Sequence, residues 1–181
     1  MKRTRLIFSG SGGQGVITAA IILAEAAVIH EGKNATQTQS YGAAARGGST
    51  RSDVIISNDP IYYPEVNQAN ILVCLTQESY ISYSAMIRPG GLVLTDSRFV
   101  KTTKKVDAKQ IELPMYETVM DKIKKPIVFN ICMLGSLLGV TEFIKPTSVM
   151  KVLKSSIPKD FIEMNQDALE LGMELGAMHS Q

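Results

Sequence analysis

The chain has 181 residues, 45% of them apolar and 20% charged, with 19 lysines and arginines against 17 aspartates and glutamates for a formal net charge of +2. So even a balance gives no electrostatic case for a nucleic-acid partner, and no apolar run is long enough to span a bilayer. The length suits one core and one domain, residues 1–181, and the short apolar run of MKRTRLIFSGSGG is unlike a secretory signal, so a cytoplasmic chain is expected.

Thr4 to Ser9 reads as a first strand, buried on both faces because its apolar residues run together. It runs into the glycine-rich segment GSGGQGV, Gly10 to Val16. Val16 to His30 follows as a helix, with Ile17, Ile21, Ala24 and Val28 as its apolar stripe and Gly32 as its stop. Asn34 to Gln39 is a second strand and Ser49 to Ser57 a third; no helix separates them, so they pair antiparallel. The loop between them, Ser40 to Gly48, is a second glycine-rich segment.

Ile71 to Leu75 makes another buried strand, Glu78 to Ile87 a short helix stopped by Pro89-Gly90-Gly91, and Leu92 to Leu94 the next strand. A further strand is expected at Lys105 to Asp107, among lysines that read as a solvated face. The last third is helical: Pro114 to Lys124, Phe129 to Gly139, Thr147 to Ser155 and Asp160 to Leu175. Asp160 and Glu163 read as a capping pair for the last helix, with Phe161, Met164, Ala168, Leu171 and Leu175 lining one face that needs cover from the chain's own core or from a partner. This order predicts an α/β chain: a Rossmann-like three-layer α/β/α fold with a mainly parallel, mixed sheet and a helical C-terminal third.

The chemistry is concentrated in the first turn. Gly10, Gly12 and Gly15 fit the GxGxxG spacing, which lets backbone N–H groups approach an anion at a helix N-terminus, so Gly10, Gly12, Gly13, Gln14 and Gly15 form an anion-competent turn. No acidic residue lies between Glu31 and Asp53, which removes the ribose contact of ordinary NAD binding, and the GxxxxGK loop of ATP-binding proteins is absent. Cys74 and Cys132 belong to no Cys-x-x-Cys pair and read as core residues. His30 sits at a helix end, where the dipole favours it, and Asp96 reads as a loop cap. No catalytic residue and no metal site are assigned.

Four segments, GSGGQGV, QSYGAAARGG with the strand SDVIIS, ILVCLTQESY and NICMLGSLLG, resemble the gamma subunit of 2-oxoacid:ferredoxin oxidoreductases, most closely of the 2-oxoglutarate type, over Thr4 to Gly139. The resemblance implies a non-catalytic subunit of an enzyme that converts a 2-oxoacid and CoA to an acyl-CoA while reducing ferredoxin. It also implies alpha, beta and ferredoxin-like delta partners that carry thiamine diphosphate, magnesium and [4Fe–4S] clusters, with none of these cofactors in this chain. The 2-oxoglutarate-type pattern has Pro-Glu after the Tyr-Gly pair, where Ala43 and Ala44 stand here. Ser40, Tyr41, Arg46, Gly47, Gly48 and Arg51 are the candidates for an interface or CoA-side contact, the arginines because they bind carboxylate or phosphate bidentately. An indolepyruvate or branched-chain 2-oxoacid enzyme, or a stand-alone nucleotide- or CoA-binding module, are the alternatives.

Overall fold

In a computed structural model, residues 3–41 and 49–179 are described. Six strands form one sheet: β1 (Arg3–Ser11), β2 (Asn34–Tyr41), β3 (Ser49–Ser57), β4 (Ala69–Cys74), β5 (Ile87–Asp96) and β6 (Ala108–Leu113), in the order β2-β3-β1-β4-β5-β6. β1, β4, β5 and β6 pair parallel, while β3 runs antiparallel to both β1 and β2. The mainly parallel, mixed sheet and the antiparallel β2–β3 pair are as expected.

The strands bury consecutive residues because both faces of the sheet are covered. Leu6, Phe8, Val54, Val73 and Leu94 face α1 (Val16–Glu25), α3 (Met115–Lys122), α4 (Phe129–Thr141), α5 (Pro146–Ser156) and α6 (Ile162–Ala177). Ile7, Ile55, Leu72 and Val93 face a thinner layer made by Tyr80 of α2 (Gln77–Tyr83) together with Val66 and Val100 from loops. The three layers are therefore unequal, and the helical C-terminal third accounts for most of the thicker one.

The expected stripe is only partly covered: Ala24 is buried and Ile17 half-buried, but Ile21 is 37% exposed and Val28, in the π-helical turn Ala26–His30 that follows α1, is 46% exposed, while Val16, Ala19, Ala20 and Leu23 are covered. The helix is apolar on nearly every side, so periodicity does not single out a face; its alanines let the backbone lie close to the sheet and so set the rotation.

Three further boundaries differ. The last strand is Ala108–Leu113 rather than Lys105 to Asp107, since Ile111 and Leu113 supply the buried residues of an edge strand and the lysines do not. Pro89-Gly90-Gly91 lies within β5, where the β4–β5 register shifts between Ala69 and Ile71 and Gly90 takes a φ of +72°; α2 has already ended at Tyr83, followed by a 3-10 turn over Ser84–Met86. Asp160 and Glu163 form no capping pair: Asp160 lies in a 3-10 turn, Lys159–Phe161, and no side chain caps α6.

α6 turns a different face inward from the expected one: Asn165, Ala168, Leu169, Gly172 and Gly176 are buried, whereas Phe161 is 49% exposed and Met164, Leu171 and Leu175 are half-buried; the small residues of the buried face let the chain's own α4 cover it. α4 is buried from Phe129 to Gly139, and its Gly135 and Gly139 meet Gly172 and Gly176 of α6, so closely that a Cβ on Gly172 would overlap the Cys132 carbonyl and one on Gly135 the Leu169 carbonyl. Such backbone contact joins the later halves of α4 and α6 closely.

Candidate functional site

The first glycine-rich segment and the described residues that flank the second meet at the carboxyl end of β1. Antiparallel register sets Ser9 beside Arg51, Gly10 beside Thr50 and Ser11 beside Ser49, and the next ladder sets Ser40 beside Arg51 and Tyr41 beside Thr50. Gly10–Gly15, Ser40, Tyr41 and Arg51 are thus gathered at one end of the sheet, beside β1, from which the strand order runs outward to β3 and β2 on one side and to β4, β5 and β6 on the other. Ligands of open α/β sheets characteristically bind at such a switch point. Arg46, Gly47 and Gly48 lie outside the described residues, as do Ala43 and Ala44.

The turn itself is held by Gln14. Its Oε1 accepts the Ser11 N–H at 2.8 Å, its Nε2 donates to the Leu75 carbonyl at 3.1 Å, and its backbone N–H reaches the Ser11 carbonyl at 3.2 Å. Gln14 therefore ties the turn to the end of β4, and a Cβ on Gly10 would stand 2.5 Å from the Gln14 Oε1. Gly13 and Gly15 have φ of +93° and +70°, a left-handed backbone that glycine adopts without a steric cost. Gly15 is the N-cap residue of α1, no side chain caps that end, and its first turn has no acidic residue, so the helix presents backbone donors and the positive end of its dipole.

A cleft of about 370 Å³ opens beside this turn. Gly13, Gly15 and Thr18 form one wall, and Ile131, Leu153 and Met164 belong to the apolar remainder, contributed by the C-terminal helices. Asn130, the second residue of α4, also lines it and is 8% exposed. Its Nδ2 donates to the Gly15 carbonyl at 3.3 Å, and a Cβ on Gly15 would come within 2.6 Å of that nitrogen. The Asn130 Oδ1 is buried without a hydrogen-bond partner. Reading motif by motif missed Asn130; its one signal was a lone amide at the head of the otherwise apolar run NICMLGSLLG.

Arg51 is engaged within the chain. Nε and Nη2 clasp the Asp53 carboxylate at 2.6 and 2.7 Å, Nη2 also donates to the Val66 carbonyl at 3.0 Å, and the guanidinium stacks 5.1 Å from the Tyr83 ring centroid. Asp53 raises the arginine's pKa, against the opposing effect of burial. Tyr41 is 65% exposed at the end of β2.

Asp96 caps a loop, as expected, accepting the Arg98 N–H at 2.9 Å and the N–H of Tyr116, at the start of α3, at 2.8 Å. Burial raises its pKa while those two donors oppose the rise. Cys74 and Cys132 are both buried, in clusters on opposite faces of the sheet, and burial pushes their thiols up to about 11 and about 12. Among the described residues no group of three or more His, Cys, Asp or Glu side chains is placed to hold a metal ion, and no helix is long and apolar enough to cross a membrane.

The sequence and the fold have known relatives. The chain is 43% identical over 175 residues to the 2-oxoglutarate synthase subunit KorC of Methanocaldococcus jannaschii, covering 96% of this chain and 94% of that one. It is 30% identical to the ketoisovalerate oxidoreductase subunit VorA of Methanothermobacter marburgensis, covering 96% of this chain but 36% of that longer one. Its fold matches the keto/oxoacid ferredoxin oxidoreductase gamma subunit of Geobacter sulfurreducens with a TM-score of 0.90 and 36% identity over the full length of both. With residues 5–175 also matching the family model for pyruvate ferredoxin/flavodoxin oxidoreductase, the chain belongs to that family.

Proposed function

We propose that this chain is the gamma-type subunit of a cytoplasmic 2-oxoglutarate:ferredoxin oxidoreductase, a single domain over residues 1–181 that completes an assembly with alpha, beta and ferredoxin-like delta subunits. The assembly converts 2-oxoglutarate and CoA to succinyl-CoA and carbon dioxide, passing two electrons to ferredoxin. The observation that carries this reading is the near full-length 43% identity to a 2-oxoglutarate synthase subunit, against 30% to a subunit named for ketoisovalerate.

The chemistry of the residues fits a supporting role. A [4Fe–4S] cluster needs thiolate ligands, whereas Cys74 and Cys132 lie in clusters on opposite faces of the sheet with their thiols pushed up to about 11 and about 12. They do not fit a cluster, and we assign the clusters, thiamine diphosphate and magnesium to the partners. What this chain offers is the glycine turn: free backbone donors at the start of α1 suit the phosphates of CoA, and the adjoining apolar cleft suits its uncharged portion.

The test is to purify the assembly through a tag on this chain and to measure CoA-dependent viologen reduction with 2-oxoglutarate, pyruvate, 2-oxoisovalerate and indolepyruvate. Turnover greatest with 2-oxoglutarate, by a complex containing a thiamine diphosphate subunit, is the expected result. Preference for another of these acids overturns the substrate, and recovery of the chain without partners overturns the subunit role.

A further inference from the structure

We propose that Asn130 is a specificity-determining residue of the cleft, accepting a hydrogen bond from an N–H group of a phosphate-bearing ligand whose anionic end rests on the N-terminus of α1. The inference deepens, and rests on, the reading of the glycine turn as the seat of CoA phosphates.

The argument begins with the orientation of the amide. Nδ2 donates to the Gly15 carbonyl at 3.3 Å, and turning the amide over would set two acceptor oxygens against each other. Gly15 thereby fixes which end of Asn130 is held, and Oδ1 is the end left without a partner. The residue is 8% exposed, no group among the described residues supplies the missing donor, and a buried unpaired amide oxygen is costly to leave so. The oxygen belongs to a residue that lines the cleft alongside Gly13 and Gly15.

The site therefore combines unlike groups: uncapped N–H donors at the start of α1, which take an anion, and an acceptor oxygen, which repels an anion and takes a donor. A bare phosphate satisfies only the first. A ligand with a phosphate and a nearby N–H satisfies both, and CoA carries such N–H groups at its adenine amine and at its pantetheine amides. A site built to pair a buried polar group discriminates strongly against analogues that leave the group unpaired.

The test uses the assembled complex, with the KM for CoA and the competitive inhibition constants of inorganic pyrophosphate and adenosine 3′,5′-bisphosphate as readouts. Asn130→Leu removes the acceptor at similar volume. It is expected to raise the KM for CoA about tenfold, with the KM for 2-oxoglutarate and the pyrophosphate constant unmoved. A matching loss for the bisphosphate assigns the contact to the adenine amine; its retention assigns the contact to a pantetheine amide. These ratios do not depend on how much of the enzyme is folded, and Asn130→Ala carries the same test if the leucine variant does not assemble.

Gly12→Asp separates the two readings, because a carboxylate at the turn opposes any anion there and should weaken CoA and pyrophosphate together. If it moves neither constant, the glycine turn is not the phosphate seat and both readings fall. If it moves both while Asn130→Leu moves neither, or moves both in equal proportion, the phosphate seat stands and the assignment of Asn130 is overturned.

Discussion

The crossing of α4 and α6 makes a prediction in which two ordinary effects have opposite signs. Gly172→Ala adds one methyl group in mid-helix, and helix propensity alone would stabilise the chain by about 1 kcal/mol. At this position, however, the new Cβ would overlap the Cys132 carbonyl and stand 2.8 Å from the Ser136 nitrogen, both backbone atoms of the facing helix. Backbone cannot rotate out of the way as a side chain can, so α6 must move off α4 by on the order of 1 Å, a gap that forfeits a quarter to a half of each dispersion contact along the crossing. Overpacking of this kind costs about 1–3 kcal/mol, and a clash of Cβ on backbone belongs at the upper end, so the net expectation is a loss of about 2 kcal/mol after the propensity gain. For a chain of this size that is a fall in Tm of roughly 4–8 °C. Thermal unfolding of the purified chain followed by circular dichroism measures it directly. A variant with an unchanged or raised Tm would refute the close crossing, because it would mean that propensity wins and that the helices have room for the methyl.

Two other predictions concern ionisable groups. Burial acts to raise the pKa of Glu31, but the Lys145 N–H at 2.6 Å and Lys33 at 3.0 Å together hold it below its ordinary value of 4.5. A carboxyl depressed on folding stabilises the chain above its unfolded pKa and loses that contribution as pH falls through the folded one. Glu31→Gln should therefore cost about 1 kcal/mol in urea unfolding at pH 7, with the gap to the parent chain narrowing as pH falls below the ordinary value of 4.5; a gap that is constant from neutral to acid pH would exclude the ionic contribution. Cys74 and Cys132, fully buried and with thiols pushed up to about 11 and about 12, should both resist Ellman's reagent at pH 8 until the chain is unfolded, when two thiols react. Rapid modification of either in the folded chain would contradict its burial.

Where residue order carries physical meaning, the sequence was readable. Consecutive apolar residues in β1 and β4 announce strands covered on both faces, and glycines after β1 announce a turn into a helix. The absence of a helix between β2 and β3 announces their antiparallel pairing. What escaped depends on contacts distant in the chain. The rotation of α1 is set by how closely its alanines approach the sheet, and an all-round apolar helix such as α1 or α4 contains no periodic mark of its facing partner. The same holds for Gly135, Gly139, Gly172 and Gly176, whose spacing becomes meaningful only when the two helices are seen to cross. At the site, the glycine turn was legible because a backbone conformation demands glycine; Asn130 was not, because its role is defined by Gly15, 115 residues earlier.

These two observations bear on each other. The cleft beside the glycine turn takes one wall from α1 and the other from α4 and the region around the start of α6, with Asn130 on α4 and Met164 on α6 both lining it. The glycine crossing fixes α4 against α6 by backbone contact, so the far wall is one rigid piece. A crossing of bulky side chains could have tolerated repacking, and Asn130 would then have shifted relative to Met164. The glycines therefore do more than stabilise the C-terminal third: they keep Asn130 and Met164 in one wall, and the Gly15 carbonyl, by holding the Asn130 amide, sets that wall against α1.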